Sequence, residues 1–104
     1  MKETVRSVCA AIPAGNVTSY GEVGKVAGVG ARYVGWFLSR HGAQLPWWRV
    51  VRANGTLPPD LAEQALPHWE AEQTPVRDEG VRMKVARWAP DDADFENIER
   101  TLMS

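Results

Sequence analysis

The chain has 104 residues, enough for one domain with one modest hydrophobic core. Apolar residues make up 44% and charged residues 24%, as in ordinary globular proteins, and no run approaches the ~18 apolar residues of a membrane-spanning helix. Cys9 is the single cysteine, which excludes an internal disulfide. Because Met1–Thr4 starts no signal-peptide-like apolar stretch, we expect a cytoplasmic protein, lying over the nucleoid if bacterial.

The formal net charge of −1 hides an uneven distribution of charge. Residues 1–57 carry seven Lys/Arg against two Asp/Glu, whereas residues 58–104 carry five Lys/Arg against eleven Asp/Glu. Attraction to phosphate depends on local charge rather than on the total. The first half can therefore bind DNA modestly by charge, with a chance asymmetry as the alternative.

The first predicted element is a helix over Thr4–Ile12. Val5, Val8, Cys9 and Ile12 fall at helical spacing on one face, which predicts that this face, including the Cys9 thiol, is buried. The turn residues that begin at Pro13 end the helix. Val17-Thr18 is then predicted to be a short extended stretch.

Two short helices follow. Ser19 and Glu22 fit a capping box, which predicts a helix from Ser19 to about Ala27. The glycine-containing stretch 28–30 breaks it, and a third helix is predicted from Ala31 to about Arg40. Two helices joined by such a turn form a helix-turn-helix candidate.

The second half predicts a mixture of small elements. Val50-Val51 and the Asn54-Gly55 turn indicate a hairpin that ends near Leu57. A helix is predicted from Pro58 to about Gln73, bent or delayed by the proline at position 67. Residues 81–88 are ambiguous, and the acidic end is either a solvated tail or a loose helix. The expected fold is mainly α, a winged-helix-like helix-turn-helix domain with a very small β-hairpin.

One face of the third helix carries Arg32, Gly35, Trp36 and Ser39. It offers few side chains that read base edges in the major groove. The small residues Ala31 and Gly35 instead permit close approach of the helix backbone, with Arg32 projecting, which suits docking in the minor groove. The alternative is a solvated arginine beside a glycine that lets helices pack.

A series of short motifs runs through the chain in a specific order. They are Ile12-Pro13-x-Gly15-x-Val17-x-Ser19-Tyr20-Gly21-Glu22-Val23, Ala31-Arg32-x-Val34-Gly35, Pro46-Trp47-Trp48-Arg49-Val50-Val51 and Asn54-Gly55. In this order they resemble the DNA-binding domain of O6-alkylguanine-DNA alkyltransferases, and more closely the alkyltransferase-like proteins. The resemblance fades near residue 90, so we expect a DNA-binding domain over 1–90 and an acidic C-terminal tail over 91–104.

The resemblance implies a protein without alkyl-transfer activity. The alkyltransferases carry Pro-Cys-His-Arg-Val, in which Cys accepts the alkyl group and His helps to form the thiolate. Trp47 stands at the Cys position and Trp48 at the His position, and an indole is neither nucleophile nor base. The family glutamate that pairs with the His matches Glu72, which is expected to lose its ionisable partner. Arg49 is expected to bridge helices rather than to contact DNA.

Site residues follow from the same resemblance. Tyr20 corresponds to the tyrosine at the phosphate of the rotated nucleotide, Arg32 to the arginine that fills the vacated stack, and Ala31 and Gly35 to the small residues at the minor groove. The expected lesion pocket is formed by Trp47, Trp48 and Val50. Trp48, the stiff Pro58-Pro59 loop and His41 near the family's hinge asparagine depart from the family pattern.

The implied function is recognition of O6-alkylguanine in double-stranded DNA. The base is flipped into a pocket, and the lesion is flagged for another pathway such as nucleotide excision repair. The alternative is a helix-turn-helix regulator or protein-interaction module that kept the fold and lost base flipping. We expect a monomer with no cofactor, metal site or membrane association.

Overall fold

Helices form most of the backbone in the computed structural model, which describes residues 2–77, 80–90 and 92–103, with side chains described within 3–100. In this part of the chain the helices are α1 (Lys2–Ala11), α2 (Tyr20–Ala27), α3 (Ala31–His41), α4 (Pro59–Ala71), α5 (Met83–Ala86) and α6 (Asp92–Met103). The strands are β1 (Thr18–Ser19), β2 (Val50–Val51), β3 (Val76–Arg77) and β4 (Gly80–Val81). Two short 3-10 helices, Gly42–Gln44 and Trp47–Arg49, lie between α3 and β2.

The helix-turn-helix forms as predicted from α2 and α3. Ser19 caps α2, since its hydroxyl accepts a hydrogen bond from the backbone N–H of Glu22 at 3.2 Å. Gly28 ends the helix in the left-handed conformation, at a φ of 76°. The turn then folds back on α2, where the Val29 N–H donates to the Gly24 carbonyl at 2.9 Å.

The predicted hairpin over residues 50–57 is wrong in its pairing. β2 pairs in parallel with β1, with Thr18 opposite Val50 and Ser19 opposite Val51. The turn itself is present, because the Gly55 N–H donates to the Arg52 carbonyl at 2.8 Å. A small antiparallel hairpin does exist, but β3 and β4 form it. The mainly α, winged-helix-like class is thus confirmed, with the location of its hairpin corrected.

The hydrophobic core consists of two clusters of buried side chains. One lies among α1, α2 and α3 and is centred on Val5, Val34 and Phe37. The other lies between β1, β2 and α4 and includes Val51 and Trp69. Val17, just before β1, joins the C-terminal segment to this second cluster by donating to the Ala86 carbonyl at 2.9 Å. The short parallel sheet therefore lies where the two clusters meet.

The acidic end forms a helix rather than an extended tail. Ile98 on α6 is 4% exposed and belongs to the core cluster among α1, α2 and α3. Of the two alternatives for this segment, the helix is the one observed, and its burial shows that it is packed. Asp91, at the expected boundary between 1–90 and 91–104, lies outside the described residues. Within the described ranges, no helix is long and apolar enough to cross a membrane.

We predict that Gly24→Ala destabilises the helix-turn-helix. A Cβ at Gly24 would lie 2.4 Å from the Val29 carbonyl oxygen, so the turn would have to move away from α2. We expect the free energy of unfolding to fall by about 2 kcal/mol or more, measured by urea denaturation.

Gly35→Ala is the matched control, because a Cβ there meets nothing within 4 Å. Alanine at this helical position should raise stability by roughly 0.5–1 kcal/mol. Equal effects of the two substitutions would contradict the close approach at Gly24.

Candidate nucleic-acid interface

A cavity of about 280 Å³ opens beside α3, at the junction of the two core clusters. Its lining comes from three regions, namely the start of α2, the second half of α3 with the following loop, and the first turns of α4. The lining residues are Tyr20, Gly35, Leu38, Ser39, Gly42, Ala43, Trp47, Leu61 and Gln64. This volume lies near the lower end of the range that holds small organic ligands.

Tyr20 is brought to the cavity by the sheet and the helix cap. It directly follows β1 and is the first residue of α2, and its ring packs against both core clusters. Burial raises the pKa of the Tyr20 phenol, an effect that the nearby positive charge of Arg52 opposes. The hydroxyl therefore stays protonated at neutral pH and is available as a hydrogen-bond donor.

Trp47 forms an apolar wall of the same cavity. It begins the short 3-10 helix that leads into β2 and, like Tyr20, packs against both core clusters. Gly42 lies close behind it, since a Cβ on Gly42 would be 3.5 Å from the Trp47 Cβ. The lining of the cavity thus includes an indole, the type of side chain on which a planar ring can stack.

Trp48 and Val50 are not among the residues that line this cavity. Val50 is fully buried in the core because β2 pairs with β1. The Trp48 ring stacks on His68, with ring centroids 3.7 Å apart and an interplanar angle of 8°. The Trp48 carbonyl accepts a hydrogen bond from the Trp69 indole at 2.8 Å. Both residues therefore anchor the segment that carries Trp47 through contacts outside the cavity lining.

Glu72 has an ionisable partner, contrary to the expectation from the sequence. The Arg49 Nε donates to Glu72 Oε1 at 3.0 Å, and a second guanidinium nitrogen bonds the other carboxylate oxygen. The remaining Arg49 nitrogen donates to the Ile12 carbonyl at 2.8 Å. Arg49 thus bridges the ends of α1 and α4.

The environment of Glu72 favours its ionised form. Burial alone would raise the pKa of this carboxyl group, but the hydrogen bonds and charge of Arg49 outweigh it and lower the pKa. The Trp48 indole N–H makes no regular hydrogen bond with any described residue, yet its dipole near Glu72 acts in the same direction. The Gly15 N–H, 3.4 Å from Glu72 Oε1, adds to the effect.

The N-terminal part of α3 is open to solvent. Ala31 and Arg32 are exposed, and Gly35, one turn on, is half-buried at the cavity. A Cβ placed on Gly30 or Gly35 would meet nothing within 4 Å, so the backbone there can be approached closely. The Arg32 side chain makes no hydrogen bond or ion pair within the described ranges, which leaves its guanidinium to project from the helix.

The single thiol does not line the cavity. Cys9 lies on the buried face of α1 and is 0% exposed, and burial raises its pKa to about 12. Such a thiol is protonated and inaccessible, which confirms the prediction that it packs as a small hydrophobe. Among the described residues, no group of three or more His, Cys, Asp or Glu side chains is placed to hold a metal ion.

Several cavity residues are not site candidates from the sequence. Ser39 lies on the same predicted helical face as Gly35, so helical spacing alone points to it. Leu61 and Gln64 are three residues apart on α4, but their approach to α3 depends on long-range packing. No local pattern in the sequence indicates that approach.

The fold and cavity together define a helix-turn-helix domain with a pocket next to its second helix. A family model for the DNA-binding domain of 6-O-methylguanine DNA methyltransferase matches residues 1–81. The chain belongs to this family.

Two bacterial proteins have sequences similar to this chain. A DNA base-flipping protein of Escherichia coli (strain K12) is 48% identical over 69 residues, which cover 60% of this chain and 54% of that protein. The chain thus spans about half the length of this relative. A DNA base-flipping protein of Vibrio parahaemolyticus is 36% identical over 89 residues, covering 76% of this chain and 86% of the relative.

Solved structures show the same fold. S. pombe Atl1 in complex with damaged DNA containing O6-carboxymethylguanine superposes with a TM-score of 0.76 at 22% identity, covering 86% of this chain and 94% of that one. S. pombe ATL in complex with DNA gives a TM-score of 0.75 at 24% identity over the same shares.

We predict that Glu72→Gln lowers the free energy of unfolding by about 2 kcal/mol at pH 7, because it leaves the largely buried Arg49 charge without a carboxylate. The folded-state pKa of Glu72 lies below its ordinary value of 4.5, so this stabilisation is present above pH 4.5. It is lost as the pH falls through the folded-state pKa. The difference between variant and wild type should therefore shrink below pH 4.5 in urea titrations.

Glu70→Gln is the control, since Glu70 is exposed on the same helix. It should change stability by less than about 0.5 kcal/mol. A Glu72→Gln effect that persists unchanged at low pH would contradict an ion pair as its source.

Proposed function

We propose that the protein recognises O6-alkylguanine in double-stranded DNA, rotates the damaged nucleotide out of the duplex and marks the site for another repair pathway. The observation that carries this proposal is the cavity lined by Tyr20, Gly35 and Trp47, next to the exposed N-terminal part of α3. The names of the bacterial relatives and the damaged DNA bound to the S. pombe protein support it.

In this proposal α3 docks in the minor groove. Ala31 and Gly35 present little side chain there, so the helix backbone can approach the sugar–phosphate edges closely. Arg32 projects from the same helix and enters the base stack, where its guanidinium fills the gap left by the rotated base. Tyr20, one helix away, donates its phenolic hydrogen bond to the phosphate of that nucleotide.

The rotated base enters the cavity and stacks on Trp47. A base stacked on an aromatic side chain gains roughly 1–3 kcal/mol, which offsets the few kcal/mol that unstacking costs. The Gln64 amide and Ser39 hydroxyl give the lining polar groups that can meet a base edge. An alkylated pair is already weakened, so its rotation costs less and damaged sites are favoured.

The same proposal assigns no alkyl transfer to the protein. Trp47 at the wall offers no nucleophile, and the protonated Cys9 thiol lies in the core. A bound lesion then stays chemically unchanged and has to be removed by other proteins, such as those of nucleotide excision repair. The bound, distorted duplex is the signal in this scheme.

Binding to matched duplexes tests the proposal. At fixed salt, the protein should bind a duplex with O6-methylguanine more tightly than the same duplex with guanine. A helix-turn-helix regulator would instead discriminate between sequences and ignore the lesion. Lack of any lesion preference would overturn the proposed function.

We predict that Arg32→Ala weakens lesion binding by about 1–3 kcal/mol, because it removes the flat group that stabilises the gap. Fluorescence titrations with damaged and undamaged duplexes measure this. Lys25→Ala, on α2, is the control for loss of one exposed charge. It should act equally on both duplexes and fade as salt rises. An equal loss for both duplexes in Arg32→Ala would make Arg32 a simple surface charge.

We also predict that incubation with labelled O6-methylguanine DNA leaves no label on the protein. Trp47→Cys alone should not restore transfer, because Trp48 beside it supplies no base. Trp47→Cys with Trp48→His is the comparison, since a histidine there lies beside the Glu72 carboxylate. Stoichiometric labelling of the wild type or of Trp47→Cys, seen by intact-mass spectrometry, would refute the non-enzymatic assignment.

A further inference from the structure

Arg52 lies beside Tyr20 because of the register of the short parallel sheet. Ser19 at the end of β1 is opposite Val51 at the end of β2, so the next residue of each strand leaves the sheet at the same edge. Neighbouring strands run about 4.8 Å apart. Arg52 and Tyr20 are therefore neighbours at this edge, where Tyr20 lines the cavity and Arg52 lies outside its lining.

The backbone of Arg52 is held in place by the turn that follows. Its N–H donates to the Thr56 carbonyl at 3.0 Å, and its carbonyl accepts from the Gly55 N–H at 2.8 Å. The residue is exposed. Its positive charge is close enough to oppose the rise that burial causes in the pKa of the Tyr20 phenol. The backbone of Arg52 is thus fixed, while its exposed guanidinium lies next to the neutral hydroxyl of Tyr20.

This pair of donors has the chemistry of a phosphate site. A phenol donates a single hydrogen bond, whereas a guanidinium carries a full positive charge and two parallel donors that match phosphate oxygens. We propose that Arg52 and Tyr20 together bind one phosphate of the DNA backbone, that of the nucleotide held in the cavity. The inference rests on the proposed function and adds to it the residue that supplies the charge.

One competing partner for the guanidinium is present on the chain. Arg52 lines a separate groove of about 450 Å³ next to α4, and Glu63 lies on the same groove. The two side chains form no ion pair in the described structure. The rest of the groove is partly apolar, with Leu57 and Val76 in its lining, which disfavours an anion inside the groove and leaves the Tyr20 hydroxyl as the neighbouring donor at the sheet edge.

A chemical double-mutant cycle tests the phosphate contact. Duplexes containing O6-methylguanine carry a neutral methylphosphonate at either phosphate flanking the lesion, and dissociation constants are measured for wild type, Arg52→Ala, Arg52→Lys and Arg82→Ala. Neutralising the contacted phosphate should weaken wild-type binding about tenfold, and Arg52→Ala should weaken binding to the unmodified duplex about tenfold. Combining the two changes should cost little more than either alone.

The controls separate the possible failures. Arg82→Ala removes an exposed arginine elsewhere and should keep the full methylphosphonate effect, while Arg52→Lys should retain part of the binding because it keeps the charge. Equal binding of damaged and undamaged duplexes by the wild type would overturn the proposed function and this inference with it. A clear lesion preference in which the Arg52→Ala and methylphosphonate effects simply add would overturn the Arg52 contact alone.

Discussion

The wall of the cavity depends on the ion pair between Arg49 and Glu72. The pair joins the segment that carries Trp47 to the end of α4, and through the Ile12 carbonyl and the Gly15 N–H it also holds the end of α1. Both side chains are largely buried, so each charge is costly without the other. A bidentate contact also fixes direction as well as distance. Trp47 lies two residues before Arg49, so the pair anchors the segment that carries it.

The second constraint is the two-residue parallel sheet between the core clusters. It is too short to be stable alone and is held by the side chains that pack on both of its sides. Because of its register, Tyr20 and Arg52 lie at the same edge of the sheet. Tyr20 belongs to the helix-turn-helix, and Arg52 belongs to the segment that follows Trp47. A cavity bounded by both halves of the molecule is thus assembled by a contact between two short strands.

The parts predictable from the sequence are those with local causes. Helical spacing, the Ser19 cap and the Gly28 break act within a few residues, and α1, α2 and α3 form where they predict. The partner of Val50-Val51 lies 32 residues away in sequence, so a nearby turn was a misleading guide. The site divides in the same way. Tyr20, Trp47 and Gly35, which the motifs point to, meet at one cavity. The contribution of α4 and the stacking of Trp48 on His68 arise from tertiary packing, which no local pattern indicates.

The charge distribution explains why such a site has to work mainly by shape. The basic first half gives only modest local attraction to phosphate, and the acidic residues of α4 and α6 add repulsion wherever they approach it. In the proposed function, short-range groups therefore supply the affinity: a close backbone approach along α3, one intruding arginine and a stacking surface in the cavity. In the proposed function, the arginine and the stacking surface act only when a nucleotide has left the stack. The proposed function therefore implies weaker binding to intact duplex than to a damaged site.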